Sequence, residues 1–210
     1  MVRVIIFGAP GAGKGTQADL IEEKFNFIKI STGDLIRAEV NAGTDIGLKV
    51  KEVLAKGELV PDDTIIQLLK RRLSQPDITS GYVLDGFPRT LDQARELSHL
   101  QAKDEKAIFL EVEADVVVAR LLSRLTCKDC GAIFNTSNKP PKVANTCDEC
   151  GGRLETRPDD NPGTVRQRIA VYREKTEPVI EYYRQKSSLH EVDADGPVES
   201  IFERIRGILS

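Results

Sequence analysis

The stretch Val2-Arg3-Val4-Ile5-Ile6-Phe7-Gly8-Ala9-Pro10-Gly11-Ala12-Gly13-Lys14-Gly15-Thr16 decides the fold. Its first six residues form a short, mostly apolar run of the kind that makes a buried parallel strand. A glycine-rich turn follows, and then a helical pattern over 14–25. Glycines let backbone N–H groups turn inward onto phosphate oxygens. The helix N-terminus adds partial positive charge, and a lysine at this place reaches the β- and γ-phosphates of a nucleotide. The strict pattern G-x-x-x-x-G-K-[ST] is missed by one position, because Gly15 follows Lys14 and the hydroxyl arrives at Thr16. Strand, loop, lysine and helix still agree on a phosphate-binding loop, which by itself says little about the reaction.

Outward from this loop, strand patterns at 27–30, 82–85, 107–112 and 189–193 alternate with helical patterns. The helical patterns cover 34–42, 46–56, 62–74, 90–100, 115–124, 163–186 and 197–208. Such alternation predicts an α/β fold, a parallel sheet wrapped by helices. Ser31 with Asp34 reads as a capping box with Asp in place of Glu. Asn161-Pro162 offers a cap followed by proline at the first helical position. Pro178 should kink the long late helix. Two stretches break the rhythm. Residues 31–60 insert helices, and residues 126–160 are rich in Cys, Gly, Pro, Asn and Thr.

Composition excludes several classes. The chain has 210 residues, enough for one main domain with an insertion and for a core that needs no disulfides. With 40% hydrophobic and 30% charged residues it is too apolar to be disordered. No apolar run approaches the ~20 residues that cross a bilayer, and the N-terminus runs straight into glycines rather than reading as a signal peptide. A cytoplasmic protein is expected, and a monomer by default. The net charge of −3 argues against a nucleic-acid binder. Two histidines, His99 and His190, leave little room for histidine acid–base chemistry, and both read as structural.

The second chemical signal is Gly81-Tyr82-Val83-Leu84-Asp85-Gly86-Phe87-Pro88-Arg89, an apolar strand ending in aspartate. Carboxyl ends of strands line the ligand crevice of an open α/β sheet. Asp85 is therefore placed to hold Mg²⁺ beside phosphates, or serves as a turn residue. The third is Cys127-x2-Cys130-x16-Cys147-x2-Cys150. Two such pairs complete a tetrahedron with no open position, which makes the metal structural. Zinc fits, and iron would also satisfy four thiolates. About 35 residues with few large apolar groups cannot make a core, so the metal would supply the folding energy.

The loop Gly8 to Ala18, the group Ser31-Thr32-Gly33-Asp34 with Arg37, and Asp85-Gly86-Phe87-Pro88-Arg89-Thr90 with Gln93 together resemble adenylate kinase over essentially the whole chain. The middle insertion resembles the long form with an extended lid. The resemblance implies the P-loop nucleoside monophosphate kinase fold, with a five-stranded parallel sheet. Its core would be 1–30, 61–123 and 162–210, with an AMP-binding insertion at 31–60 and a zinc-ribbon lid at 124–161. It implies the reaction ATP + AMP ⇌ 2 ADP with Mg²⁺. Gly11, Ala12, Gly13, Lys14, Gly15 and Thr16 would cradle ATP phosphates. Arg124, Ile133 and Phe134 would meet ATP from the lid. Gly196 matches a position whose backbone contacts the donor adenine, although a longer side chain is usual there. Thr32, Arg37, Glu58, Leu59, Val60, Gly86, Phe87, Pro88, Arg89 and Gln93 would hold AMP, with Gln93 on the adenine edge and Arg37 and Arg89 on the phosphate. Arg157 and Arg168 would close over the phosphates. Lys14, Asp85, Arg89, Arg124, Arg157 and Arg168 would form the catalytic set.

Elementary chemistry agrees with that set. The acceptor would be a phosphate whose second pKa is ~6, so it needs no general base at neutral pH. Two nucleotides bring roughly six negative charges, and planar guanidinium forks neutralise and align them. Three rival readings remain open on sequence. One is a kinase for another nucleoside monophosphate, or one taking its phosphoryl group from GTP. Another is a zinc-ribbon nucleic-acid-binding ATPase, and the third is a metal-held interaction module.

Overall fold

The computed structural model describes residues 1–137 and 139–210. In chain order the first elements are β1 (Val2–Phe7), α1 (Lys14–Phe25), β2 (Ile28–Ser31), α2 (Thr32–Asn41), α3 (Asp45–Lys56), α4 (Asp62–Leu73), β3 (Gly81–Asp85) and α5 (Leu91–His99). There follow β4 (Asp104–Glu111), α6 (Ala114–Leu122), β5 (Arg124–Cys127), β6 (Ile133–Asn135), β7 (Leu154–Glu155) and α7 (Pro162–Val171). A π-helical turn (Tyr172–Thr176), α8 (Glu177–Gln185), β8 (Leu189–Asp193) and α9 (Val198–Leu209) complete the chain.

A five-stranded sheet of order β2-β3-β1-β4-β8 is parallel throughout. The apolar run of β1 explains its central place. Successive side chains point to opposite faces, so Ile5 and Phe7 enter one core while Val4 and Ile6 enter another. The first core gathers Leu68 and Leu69 of α4, Leu97 of α5, and Val179 and Tyr183 of α8. The second gathers Ala18 and Ile21 of α1 and Ile201, Phe202 and Ile205 of α9. The chain leaves β1 towards β2 on one side and later passes to β4 on the other. Strand order therefore reverses at β1, and the crevice outside its carboxyl end is the natural ligand site.

Several boundaries differ from expectation for local reasons. Helix α2 starts at Thr32, two residues early, because Ser31 is its N-cap and accepts the Asp34 N–H at 3.3 Å. Strand β4 starts at Asp104 because the parallel ladder with β1 begins at Val2↔Asp104. Helix α6 ends at Leu122 because Arg124 already pairs with Asn135 between β5 and β6. Asn161 caps α7, accepting the Thr164 N–H at 3.0 Å, with Pro162 in the first turn. The expected kink near Pro178 takes the form of the π-helical turn before it, where the Glu177 N–H donates to the Tyr172 carbonyl. Residues 124–155 also hold a three-stranded antiparallel sheet, β6-β5-β7, whose short strands carry too little pattern to read in the sequence.

Arg3 is a buried cation inside the main sheet, 3% exposed in its side chain. Its guanidinium donates to Tyr82 Oη at 2.8 Å, to Glu105 Oε2 at 2.6 Å and to the Leu97 carbonyl at 3.2 Å, and it also reaches the Leu100 carbonyl. Burial disfavours its charge, but the Tyr82 and Glu105 contacts outweigh that, and its pKa is raised. Removing one member of such a network leaves the others buried and unpaired. Arg3→Met is therefore expected to lower unfolding stability by about 3 kcal/mol in urea titration, with the far-ultraviolet spectrum unchanged.

Candidate active site

Gly13, left-handed at φ 97°, ends the turn after β1 and opens α1. The loop residues Gly11, Ala12, Gly13, Lys14, Gly15 and Thr16 all line the larger of two adjoining cavities. Lys14 Nζ donates to the Gly8 and Ala9 carbonyls at 2.8 Å each. Burial pushes its pKa down to about 7. Asp85 opposes that shift, while Arg89, Arg168 and Arg124 reinforce it. The lysine thus stands among cations on the cavity wall, where an anion is favoured.

Asp85 ends β3 beside Ile6 of β1 and faces the same cavity. The next residue, Gly86, has φ 76°, and a Cβ there would lie 2.6 Å from Arg89 Nη2. Only glycine lets that guanidinium lie against the loop, where Arg89 Nε donates to the Gly86 carbonyl at 2.7 Å. Phe87 and Pro88, expected around AMP, and Arg157, expected over the phosphates, line the larger cavity with Arg89. Gly196 lines it too, and nothing lies within 4 Å of a Cβ built there. Ile133 reaches over the phosphate loop, its Cδ1 3.1 Å from a Cβ built on Gly15. Phe134 touches the cavity, but its ring is buried with Cys127, Cys147 and Leu154.

The smaller cavity is lined by Thr32, Arg37, Glu58, Leu59, Val60, Gly86, Arg89, Gln93 and Arg168. Thr32 Oγ1 donates to the Gly86 carbonyl at 2.8 Å. Both amide atoms of Gln93 are engaged. Its Oε1 accepts from the Arg89 N–H at 2.8 Å and its Nε2 donates to Asp62 Oδ1 at 2.7 Å. Arg37, Arg89 and Arg168 belong to the walls of both cavities. The two spaces therefore meet at a shared guanidinium wall.

That wall is held by few acids. Arg124 grips Asp160 with both Nε and Nη2, at 2.7 and 2.5 Å. Arg168 Nη1 bonds Asp160 at 2.8 Å and Asp159 at 2.9 Å. Asp160 is wholly buried in its side chain. Arg37 pairs with Asp34, and Arg157 Nε donates to Thr126 Oγ1 at 2.9 Å. Burial, with neighbouring arginines adding to it, lowers Arg89 and Arg157 to about 10 each and shifts Arg168 down as well.

Sequence reasoning did not single out Arg120, Lys139, Tyr172 or Thr176, which also line the larger cavity, nor Asp159 and Asp160. Arg120 lies in the last turn of α6, just before the strand that carries Arg124. The acid pair follows Arg157-Pro158 directly.

The four cysteines converge. Their sulfurs lie within 4.8 Å of one another, with Cys127 to Cys150 at 3.5 Å and Cys130 to Cys147 at 3.6 Å. Thiolates 2.3 Å from one tetrahedral ion stand about 3.8 Å apart, so the cluster can hold a metal, whereas a disulfide needs ~2.05 Å. The Cys130 N–H draws the Cys127 thiol down, while burial and the crowded neighbouring sulfurs push the Cys130 thiol up.

A parallel sheet with a phosphate loop at its switch point, and two cavities that share arginines, define a phosphotransferase of the nucleoside monophosphate kinase class. A family model described as adenylate kinase matches residues 6–188. The adenylate kinase of Archaeoglobus fulgidus is 47% identical, covering 99% of this chain and 98% of its own. That of Thermodesulfovibrio yellowstonii is 46% identical over 99% of each chain, and that of Thermosipho melanesiensis 44% over 99% of each. The chain belongs to the adenylate kinase family, enzymes that interconvert ATP plus AMP with two ADP.

Lys14 gives a proton signature. Its lowered pKa leaves the side chain largely as the neutral amine at pH 8, and a bound triphosphate restores the charge. Titrating ATP into the protein at pH 8, in two buffers of different ionisation enthalpy, is expected to show uptake approaching about one proton per site. At pH 6, where Lys14 is already charged, its contribution is expected to vanish.

Proposed function

We propose that the chain transfers the terminal phosphoryl group of ATP directly to AMP, with the donor in the larger cavity and the acceptor in the smaller. The observation that carries this reading is the shared wall of Arg37, Arg89 and Arg168. It aligns two anionic tails at one place, which is the main demand of phosphoryl transfer.

The roles follow from position. Backbone N–H groups of residues 11–16 and the Lys14 ammonium hold the donor phosphates. Arg124 and Arg157 neutralise charge from the lid side, and Ile133 covers the loop against water. Asp85 and Thr16, both on the larger cavity, would hold Mg²⁺, which supplies charge neutralisation on the donor phosphates. Arg37 and Arg89 grip the acceptor phosphate. Thr32, Leu59 and Val60 enclose the acceptor nucleoside, and Gln93 reads its base only after exchanging its contact with Asp62. The acceptor oxygen is already deprotonated, so no residue needs to act as a base.

The four cysteines would hold one structural Zn²⁺ that stands in for an apolar core in the lid. Among the described residues no helix is long and apolar enough to cross a membrane. On this reading the partners are ATP, AMP and ADP, and the mild net negative charge disfavours nucleic acid.

Arg89→Ala is expected to lower kcat/KM for AMP by about a hundredfold or more, with the circular dichroism spectrum unchanged. A coupled ADP-formation assay checks this, and an unchanged value would remove Arg89 from the acceptor site. Running it with AMP, UMP, CMP and GMP, and with ATP against GTP, tests the base assignments at both sites.

Elemental analysis is expected to find about one zinc per chain. Cys147→Ser is expected to lose that metal and to add an early thermal transition, while the sheet melts near its original temperature. A metal-free variant with a single unshifted transition would contradict the structural role.

A further inference from the structure

The geometry points to Thr176 as a positioning residue for Arg89, acting from the π-helical turn between α7 and α8. This rests on the reading that Arg89 grips the acceptor phosphate. Pro178 has no N–H, and its ring crowds the carbonyl four residues earlier. The helix answers by widening, so that the Glu177 N–H reaches back five residues to Tyr172. Such single wide turns expose side chains that a regular helix would carry elsewhere. Here the turn sets both Tyr172 and Thr176 against the larger cavity.

Thr176 is 7% exposed, and its hydroxyl donates to the Arg89 carbonyl at 3.1 Å, across 87 residues of sequence. Arg89 is otherwise anchored within its own loop region. Its N–H donates to Gln93 at 2.8 Å, and its Nε donates to the Gly86 carbonyl at 2.7 Å. The Thr176 bond holds the Arg89 carbonyl, which neither of the other two touches, while Asp62 of α4 steadies Thr90 and Gln93 beside it. A tilt of the Arg89 peptide swings the guanidinium, which burial and Arg168 already push away from its charged form. Thr176 itself touches neither reacting oxygen in this account. It acts through Arg89 and is invisible to a reading based on charge or motif.

Thr176→Val keeps the shape and removes the hydroxyl, whereas Thr176→Ser keeps the hydroxyl. The valine variant is expected to lose about tenfold in kcat/KM for AMP, equal to ~1.4 kcal/mol of transition-state stabilisation, with the KM for ATP within about twofold of the parent. The serine variant is expected to recover to within about threefold of the parent, and both should melt within a few degrees of it. Three results would overturn the role: an unchanged AMP parameter in the valine variant, equal losses for ATP and AMP that track a lowered melting temperature, or a serine variant as impaired as the valine one. Arg89→Ala is measured alongside. If it too leaves AMP turnover intact, the assignment of Arg89 falls and the role of Thr176 with it. If Arg89→Ala is impaired and Thr176→Val is not, only the positioning role falls.

Discussion

Crowding of like charge around one cavity is the constraint on which the rest of the site depends. Lys14, Arg89, Arg124, Arg157 and Arg168 face one cavity, and each of the four with a resolved shift has its charged form disfavoured first of all by burial. Isolated buried cations of this kind are expensive. The wall is steadied by a few acids and by carbonyls turned towards it. Asp160 serves Arg124 and Arg168 at once, and Lys14 rests on two carbonyls of its own loop. None of these partners matches the charge of the two phosphate tails that the site is shaped to take. Such a wall of cations favours an anionic group carrying several charges.

The scaffold explains how so many cations reach one place. Because strand order reverses at β1, loops from both halves of the sheet open on the same side. The phosphate loop comes from β1, and the Asp85 to Arg89 turn comes from β3. Arg124 and Arg168 lie at the two roots of the cysteine segment. Two separate apolar cores, one on each face of the sheet, keep these loops in register without taking part in the chemistry.

The parts of this arrangement that were legible in sequence are those with a local cause. The β1 run, the glycines and Lys14 carry their own geometry, and so does the spacing of the cysteine pairs. Ser31 and Asn161 cap helices through contacts three residues away. What stayed hidden depends on residues distant in the chain. The partnership of Gln93 with Asp62 spans 31 residues, and nothing near either residue signals it. Asp160 reads as a surface acid until Arg124 is placed beside it. Strands β6 and β7 are too short to show a period, and Pro178 signals a bend without saying that the helix would widen instead of breaking.

The cysteine segment is fastened at its base by Asp160, which binds Arg124 on the ingoing side and Arg168 on the outgoing side. β5 and β7 pair just above that joint. Everything distal to it has its own small sheet and its own cluster of four cysteines, and Asn135 and Thr136 add bonds back to Arg120 and Ser123 at the end of α6. Such a joint makes the segment a cassette. Its interior could be rebuilt around a different bonding scheme, or exchanged for another small β unit, and the guanidinium groups at its roots would keep their places. Modularity of this kind separates the chemistry of the enzyme from the material of its cover.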